Sequence, residues 1–205
     1  MIVRYIFNAL GISTPSYIDI GSHHPFELNN TVYFYKNGSR GINIEANPLL
    51  IEPFLKYRKH DINLNIGIMD KPGEMEFFII DPPSLSTFSE KEANRIFQKY
   101  GYRIKEKRKV AVTTVKLVLD QYAQDRCPDF LSIDVEGIED AIFRSIDFTA
   151  WSPYVICCET ADFEMKGVAG KNTKLIGFLE GKGYMVYADT GINTIFVKRN
   201  VWANR

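Results

Sequence analysis

The chain has 205 residues, 45% hydrophobic and 24% charged, a balance that fits a folded globular protein and excludes an intrinsically disordered one. Its 25 basic and 25 acidic side chains cancel, so no net field draws it toward nucleic acid or an anionic membrane surface. No apolar run approaches the roughly 20 residues of a membrane span, and no repeat or Pro/Gly/Ser-rich linker divides the sequence, so one domain over residues 1–205 is expected.

In chain order, residues 1–16 carry Arg4 and a short apolar patch without a secretory h-region and cleavage site, which predicts a cytoplasmic protein. Tyr17–Ile20 reads as the first strand, 30–37 as a helix and Gly41–Ile44 as the second strand. Asn47 and Pro48 then open a helix over 49–59, a cap followed by proline at the first helical position. A third strand covers 63–68. Beyond it come an extra strand at 74–80, a loop at 82–88, a charged helix at 91–101 and a strand at 110–113. The 81–113 part of this stretch reads as an inserted segment, lying over a binding mouth or solvated at the surface. A helix at 114–124, a strand at Phe130–Ile133, a helix at 139–145 and a strand at 154–158 follow. The chain closes with a helix at 173–182 and strands at 185–187 and 194–198 around Asp189, Thr190 and Gly191.

Most of these strands are apolar on both faces, the pattern of parallel strands covered by helices on each side. The expected fold is an α/β sandwich whose mostly parallel sheet ends in an antiparallel hairpin, where a dinucleotide-binding dehydrogenase would continue with βα units. Three cysteines make no closed disulfide set. Cys157 and Cys158 are expected as buried free thiols on opposite faces of one strand.

The chemistry gathers at strand ends. Asp19, Ile20, Gly21 and Ser22 close the first strand, with a glycine where a ligand would approach the backbone. Glu45 closes the second, near the spacing of about 20 residues at which an acid meets the ribose hydroxyls of an adenosine cofactor. The residues after Gly21 are Ser22, His23, His24, Pro25 and Phe26, so the G-x-G-x-x-G fingerprint is absent and a dinucleotide is disfavoured. S-adenosylmethionine has no phosphates, and its ammonium and sulfonium suit the carboxylates of Asp19 and Asp134. Asp134 and Glu136 flank the turn after a further strand, and Glu159 occupies the same edge one strand on. Glu139 and Asp140 read as first-turn acids that complement a helix dipole.

The segments Tyr17 to Pro25, Asn30-Thr31, Gly41 to Pro48, Asp129 to Gly137, Glu159-Thr160 and Asn193 to Phe196 resemble the FkbM family of methyltransferases, in the right order across nearly the whole chain. The stretch between Asp81 and Val110 matches that pattern least. The resemblance implies a class I methyltransferase fold, Rossmann-like with seven strands, S-adenosylmethionine as donor, and O-methylation, often of sugars in surface polysaccharides, glycolipids or natural products. It places Asp19, Gly21 and Ser22 at the methionine end of the donor and Glu45 at the ribose, with Asn47 beside it. Asp70 is a candidate for the adenine amino group, with a simple turn through Asp70, Lys71, Pro72 and Gly73 as the alternative.

A sugar hydroxyl is a poor nucleophile until its proton is removed. His24 is the expected base, with His23 as a lesser candidate and Asp134 and Glu136 as catalytic carboxylates. Asp134, Glu159 and His24 are the alternative, as ligands to a divalent cation such as Mg or Mn. Tyr33, Phe34 and Tyr35 are assigned to packing. The basic run Arg103, Lys105, Lys107, Arg108 and Lys109 reads as a solvated edge or as a grip on the phosphates of a nucleotide-linked sugar. An NAD-dependent oxidoreductase and a non-catalytic cofactor-binding module partnering another transferase are the rival readings.

Overall fold

The computed structural model describes residues 2–123, 126–161 and 170–205. Its frame is a seven-stranded sheet built from β1 (Tyr17–Ile20), β2 (Gly41–Ile44), β3 (Ile62–Leu64), β7 (Phe130–Ile133), β8 (Val155–Glu159), β9 (Tyr184–Asp189) and β10 (Asn193–Lys198). The spatial order is β3-β2-β1-β7-β8-β10-β9. The first five are parallel, and β10 runs antiparallel to both β8 and β9. Both the mostly parallel sheet and its antiparallel ending match the sequence expectation. Strand order reverses between β1 and β7, which opens a crevice at their carboxyl ends, the place where open α/β sheets bind ligands.

Helices cover both faces, as two-sided strand burial requires. One layer packs α5 (Val115–Tyr122), α6 (Glu139–Ser145) and α7 (Thr173–Gly181) on Ile18, Ile20, Leu131, Ile133 and Ile156. The other holds α1 (Ile2–Ala9) and α2 (Val32–Lys36) against Tyr17, Phe130 and Cys157. Phe34 lies edge-on to Phe7 and Phe130 in this core, with Tyr33 partly buried beside it, the packing role expected of them. Cys157 and Cys158 are free and buried in opposite layers. The apolar patch near the amino terminus forms a helix, α1, whose buried Val3, Ile6 and Phe7 follow helical spacing. Two further helices are α3 (Ile51–Tyr57) and α8 (Arg199–Ala203).

The third strand departs from expectation. The 63–68 run divides between β3, at the edge of the large sheet, and β4 (Gly67–Ile68), which enters a second sheet ordered β4-β6-β5. Its partners are β5 (Gly73–Ile80) and β6 (Ile104–Thr113), joined through a 3-10 turn at Pro83–Leu85 and α4 (Glu90–Tyr100). The basic run is the outer half of β6. Lys107 pairs with Glu76 on β5, Lys105 with Asp81 just after it and Arg108 with Glu106 on β6 itself, so three of these charges meet acids. Phe77, Phe88, Val110 and Val112 form the small core that docks this sheet against Ala46 and Ile138, beside the crevice.

Candidate active site

Gly21 and Asp134 meet at the point where the strand order reverses. The Asp134 N–H donates to the Ile20 carbonyl, and Gly21 adopts φ +77°. A Cβ at Gly21 would stand 1.7 Å from the Asp134 carbonyl oxygen, so only glycine lets the two strand ends close on each other. The crevice above them is lined by Gly21, His23, Glu45, Asp134 and Glu136, with Ile66, Phe77 and Phe88 among its apolar walls.

On the β1–β2 side every carboxylate is tied down. Glu45, 5% exposed, accepts the His23 N–H at 2.8 Å and the Asn47 N–H at 2.7 Å, one on each oxygen. Burial pushes its pKa up to about 7, against those two hydrogen bonds. Each oxygen keeps a lone pair for a further donor. Asp19 lies beneath, accepting from Asn29 Nδ2 at 3.0 Å and Thr31 Oγ1 at 2.9 Å. Burial raises its pKa too, while those donors and the charge of Arg58 oppose the rise.

Arg58 is the residue that sequence reasoning missed. It is fully buried, pairs with Asp61 at 2.9 Å, and donates to Tyr17 Oη and to Thr31 Oγ1, the hydroxyl that serves Asp19. A second nitrogen donates to the Pro25 carbonyl. One cation therefore organises the strand tip and the loop after it. The available signal was an arginine three residues before an aspartate at a helix end, which is far too common to single out.

The β7–β8 side is the opposite. One oxygen each from Asp134, Glu136 and Glu159 lie within 4.8 Å of one another. Glu136 is held in the left-handed region at φ +55°, and its carbonyl accepts the Thr87 hydroxyl at 2.8 Å, which ties the 82–88 loop over the turn. All three carboxylates are pushed upward, by burial first and then by acidic neighbours: Glu139 and Asp19 at Asp134, Asp134 and Glu139 at Glu136, and Glu136, Asp134 and Glu139 at Glu159. Asp134 reaches about 7. The nearby Arg95 is already committed to Glu92 through two hydrogen bonds. Glu139 is structural, as expected, accepting the Val135 and Gly137 N–H groups.

The expected residues therefore separate. Gly21, Glu45, Asp134 and Glu136 line the crevice, and Glu159 lines the cavity that continues from it. Asp19, Ser22 and Asn47 are buried behind it: Ser22 Oγ donates to the Ile44 carbonyl, and Asn47 Oδ1 accepts the Leu49 N–H while its Nδ2 has no partner. Asp70 is exposed in the turn between β4 and β5, because the chain has left the large sheet by that point. His24 is also displaced. Its Nδ1 accepts the Phe26 and Glu27 N–H groups and staples the loop, and Glu136 stands in its expected place among the clustered ligand atoms. The turn at His23, φ +55°, instead directs His23 to the crevice, where burial and the neighbouring His24 lower its pKa. The basic run lines neither the crevice nor its continuation.

A parallel sheet with an antiparallel carboxyl-terminal hairpin, and acids at successive strand ends around one crevice, define the class I methyltransferase architecture. A family model described as the methyltransferase FkbM domain matches residues 19–186, and the chain belongs to that family. Among solved structures, the methyltransferase FkbM from Methylobacillus flagellatus KT superposes with a TM-score of 0.52 at 10% identity, over 90% of this chain. This chain spans only 44% of that one. A precorrin-6y C5,15-methyltransferase from Geobacter metallireducens GS-15 (TM-score 0.45, 16% identity, 95% of this chain and 86% of that one) is a more distant likeness. So is the 1,6-didemethyltoxoflavin-N1-methyltransferase of Burkholderia thailandensis, solved with S-adenosylhomocysteine (TM-score 0.44, 8% identity, 94% and 73%). No curated protein matches the sequence. Among the described residues, no helix is long and apolar enough to cross a membrane.

Proposed function

We propose that this chain transfers a methyl group from S-adenosylmethionine to a hydroxyl of a small polar acceptor, a sugar in the first instance. The observation that carries the reading is the convergence of Glu45, Asp134 and Glu136 on one crevice beside Gly21, where a cationic nucleoside supplies the positive charge that this wall lacks. The residues fit the donor. Glu45 has spare lone pairs for ribose hydroxyls, Ile66, Phe77 and Phe88 offer apolar surface to a flat base, and Asp134 stands at the strand end where ammonium and sulfonium would lie. Asp19, Ser22 and Asn47 serve the donor from behind, by holding the two strand ends and the loop after β2.

Bound S-adenosylmethionine supplies an electrophilic methyl; the chain's own part is to orient the acceptor oxygen in line and take its proton. Asp134, raised toward neutrality, is the base this geometry favours, with Glu136 and Glu159 orienting the hydroxyl. A divalent cation held by the same three carboxylates is a second reading, favoured by their 4.8 Å clustering. Turnover of labelled donor with a sugar panel, before and after exhaustive chelation, separates the two. Activity that survives chelation supports the carboxylate base, and activity restored only by Mg or Mn supports the metal. Micromolar binding of S-adenosylhomocysteine without any turnover would instead favour a non-catalytic module.

A further inference from the structure

We infer that the acceptor carries no phosphate and presents an apolar group next to its reactive hydroxyl, as an alkyl or aryl glycoside does; the inference rests on the methyltransferase reading above. Beyond Gly21 the crevice continues into a cavity of about 540 Å³, a size suited to a small organic ligand. Its floor holds Asp134, Glu136 and Glu159, and a neighbouring hollow that shares Glu136 and Glu159 adds Glu92, Glu139 and Asp140. No lysine or arginine among the described residues lines either space. Lys36, whose Nζ lies 5.3 Å from the centre of the Phe26 ring, is not a lining residue, and neither is any basic residue of β6, where Lys105, Lys107 and Arg108 are ion-paired. A phosphate or pyrophosphate placed here would meet three carboxylates and, among the described lining residues, no lysine or arginine, which disfavours the nucleotide-linked sugar considered from sequence.

The rim favours an apolar appendage. Phe26, Leu28 and Ile192 line the cavity while keeping much of their surface exposed, 84% in the case of Leu28. Leu28 also sits at φ +50°, a conformation costly for leucine, and it persists because the loop around it is stapled. Asn29 Nδ2 donates to the Ser22 carbonyl, Arg58 to the Pro25 carbonyl, and His24 receives two N–H groups of the same loop. The loop thus fixes two large apolar side chains at the mouth, and Ile192 faces the same cavity from the β9–β10 turn. Asn193 also lines the cavity, and its buried amide oxygen has no hydrogen-bond partner among the described residues.

Saturation-transfer NMR on protein saturated with S-adenosylhomocysteine tests this with three probes: methyl glucoside, octyl glucoside below its micelle concentration, and glucose 1-phosphate, extended to the other common hexoses. The octyl form is expected to bind about tenfold or more tighter than the methyl form, since several methylenes become buried. The Leu28→Asp/Ile192→Asp double variant should bring that ratio near unity. Both sites are exposed, and aspartate tolerates the left-handed conformation at position 28, so the variant should fold. Glucose 1-phosphate is expected to bind weakest, with or without Mg. An equal or tighter phosphate complex, an octyl preference that is absent or survives in the double variant, or no alkyl glycoside bound at all would overturn the inference. Failure of S-adenosylhomocysteine to bind would overturn the donor reading instead, so the two failures are distinguishable.

Discussion

Two sets of acids lie on opposite sides of the crevice, one partly behind its wall, and their surroundings differ. Asp19 and Glu45, on the β1–β2 side, are buried with hydrogen-bond donors already in place, and Arg58 stands behind them. Asp134, Glu136 and Glu159, on the β7–β8 side, are crowded together, and burial and acidic neighbours raise the pKa of each, while the nearby Arg95 is held by Glu92. The first arrangement is pre-organised, so its groups need not move when a ligand arrives. The second is electrostatically incomplete, and a cation or a transferable proton relieves it. In the proposed reaction the first grips the nucleoside and the second manages the reacting end.

The comparison breaks most sharply at Asp134. Asp134→Asn keeps the shape and removes the base, and turnover should fall by about 10²- to 10⁴-fold. Single-turnover kinetics with labelled donor would check it, and a fully active variant would remove Asp134 from catalysis. Behind the first set, Arg58→Met should cost about 3 to 5 kcal/mol of stability, because Asp61 is left as an uncompensated buried charge. Denaturant unfolding measures that loss. Neither Asp134→Asn nor Glu136→Gln should lower stability comparably, since both relieve repulsion.

Glu45→Gln comes next. It should weaken S-adenosylhomocysteine binding by about 1 to 3 kcal/mol through loss of charge-assisted hydrogen bonds, as read by calorimetric titration, with the acceptor-side chemistry intact. The smallest effect is on pH. The fold prefers protonated Glu45, whose pKa rises from 4.5 to about 7, so its contribution to stability is full below pH 4.5 and is lost as pH rises toward 7. Thermal melts from pH 5 to 8 on ligand-free protein should slope downward, and Glu45→Gln should flatten part of that slope.

The sheet and the crevice were legible in sequence because strands apolar on both faces leave few alternatives, and acids directly after such strands have nowhere to go but the carboxyl-end edge. Gly21, Glu45, Asp134, Glu136 and Glu159 were found that way. Other features depend on contacts that sequence does not display. The split of 63–68 between two sheets is decided by β4 pairing with β6, more than 40 residues away. The basic run lies mostly in a strand because β6 pairs along its length with β5, and three of its charges meet acids there. His23 and His24 are neighbours with the same chemistry, and only the left-handed turn at His23 determines which one faces the crevice. Arg58 acts through long-range partners alone, so nothing near it in sequence marks its role.

The most direct test of the central claim is a crystal structure of the protein soaked with S-adenosylhomocysteine. The nucleoside is expected at the β1–β7 strand reversal, with a ribose hydroxyl within about 3.2 Å of a Glu45 carboxylate oxygen and its ammonium near Asp134. A nucleoside bound elsewhere, or a crevice that stays empty at saturating concentration, would contradict it.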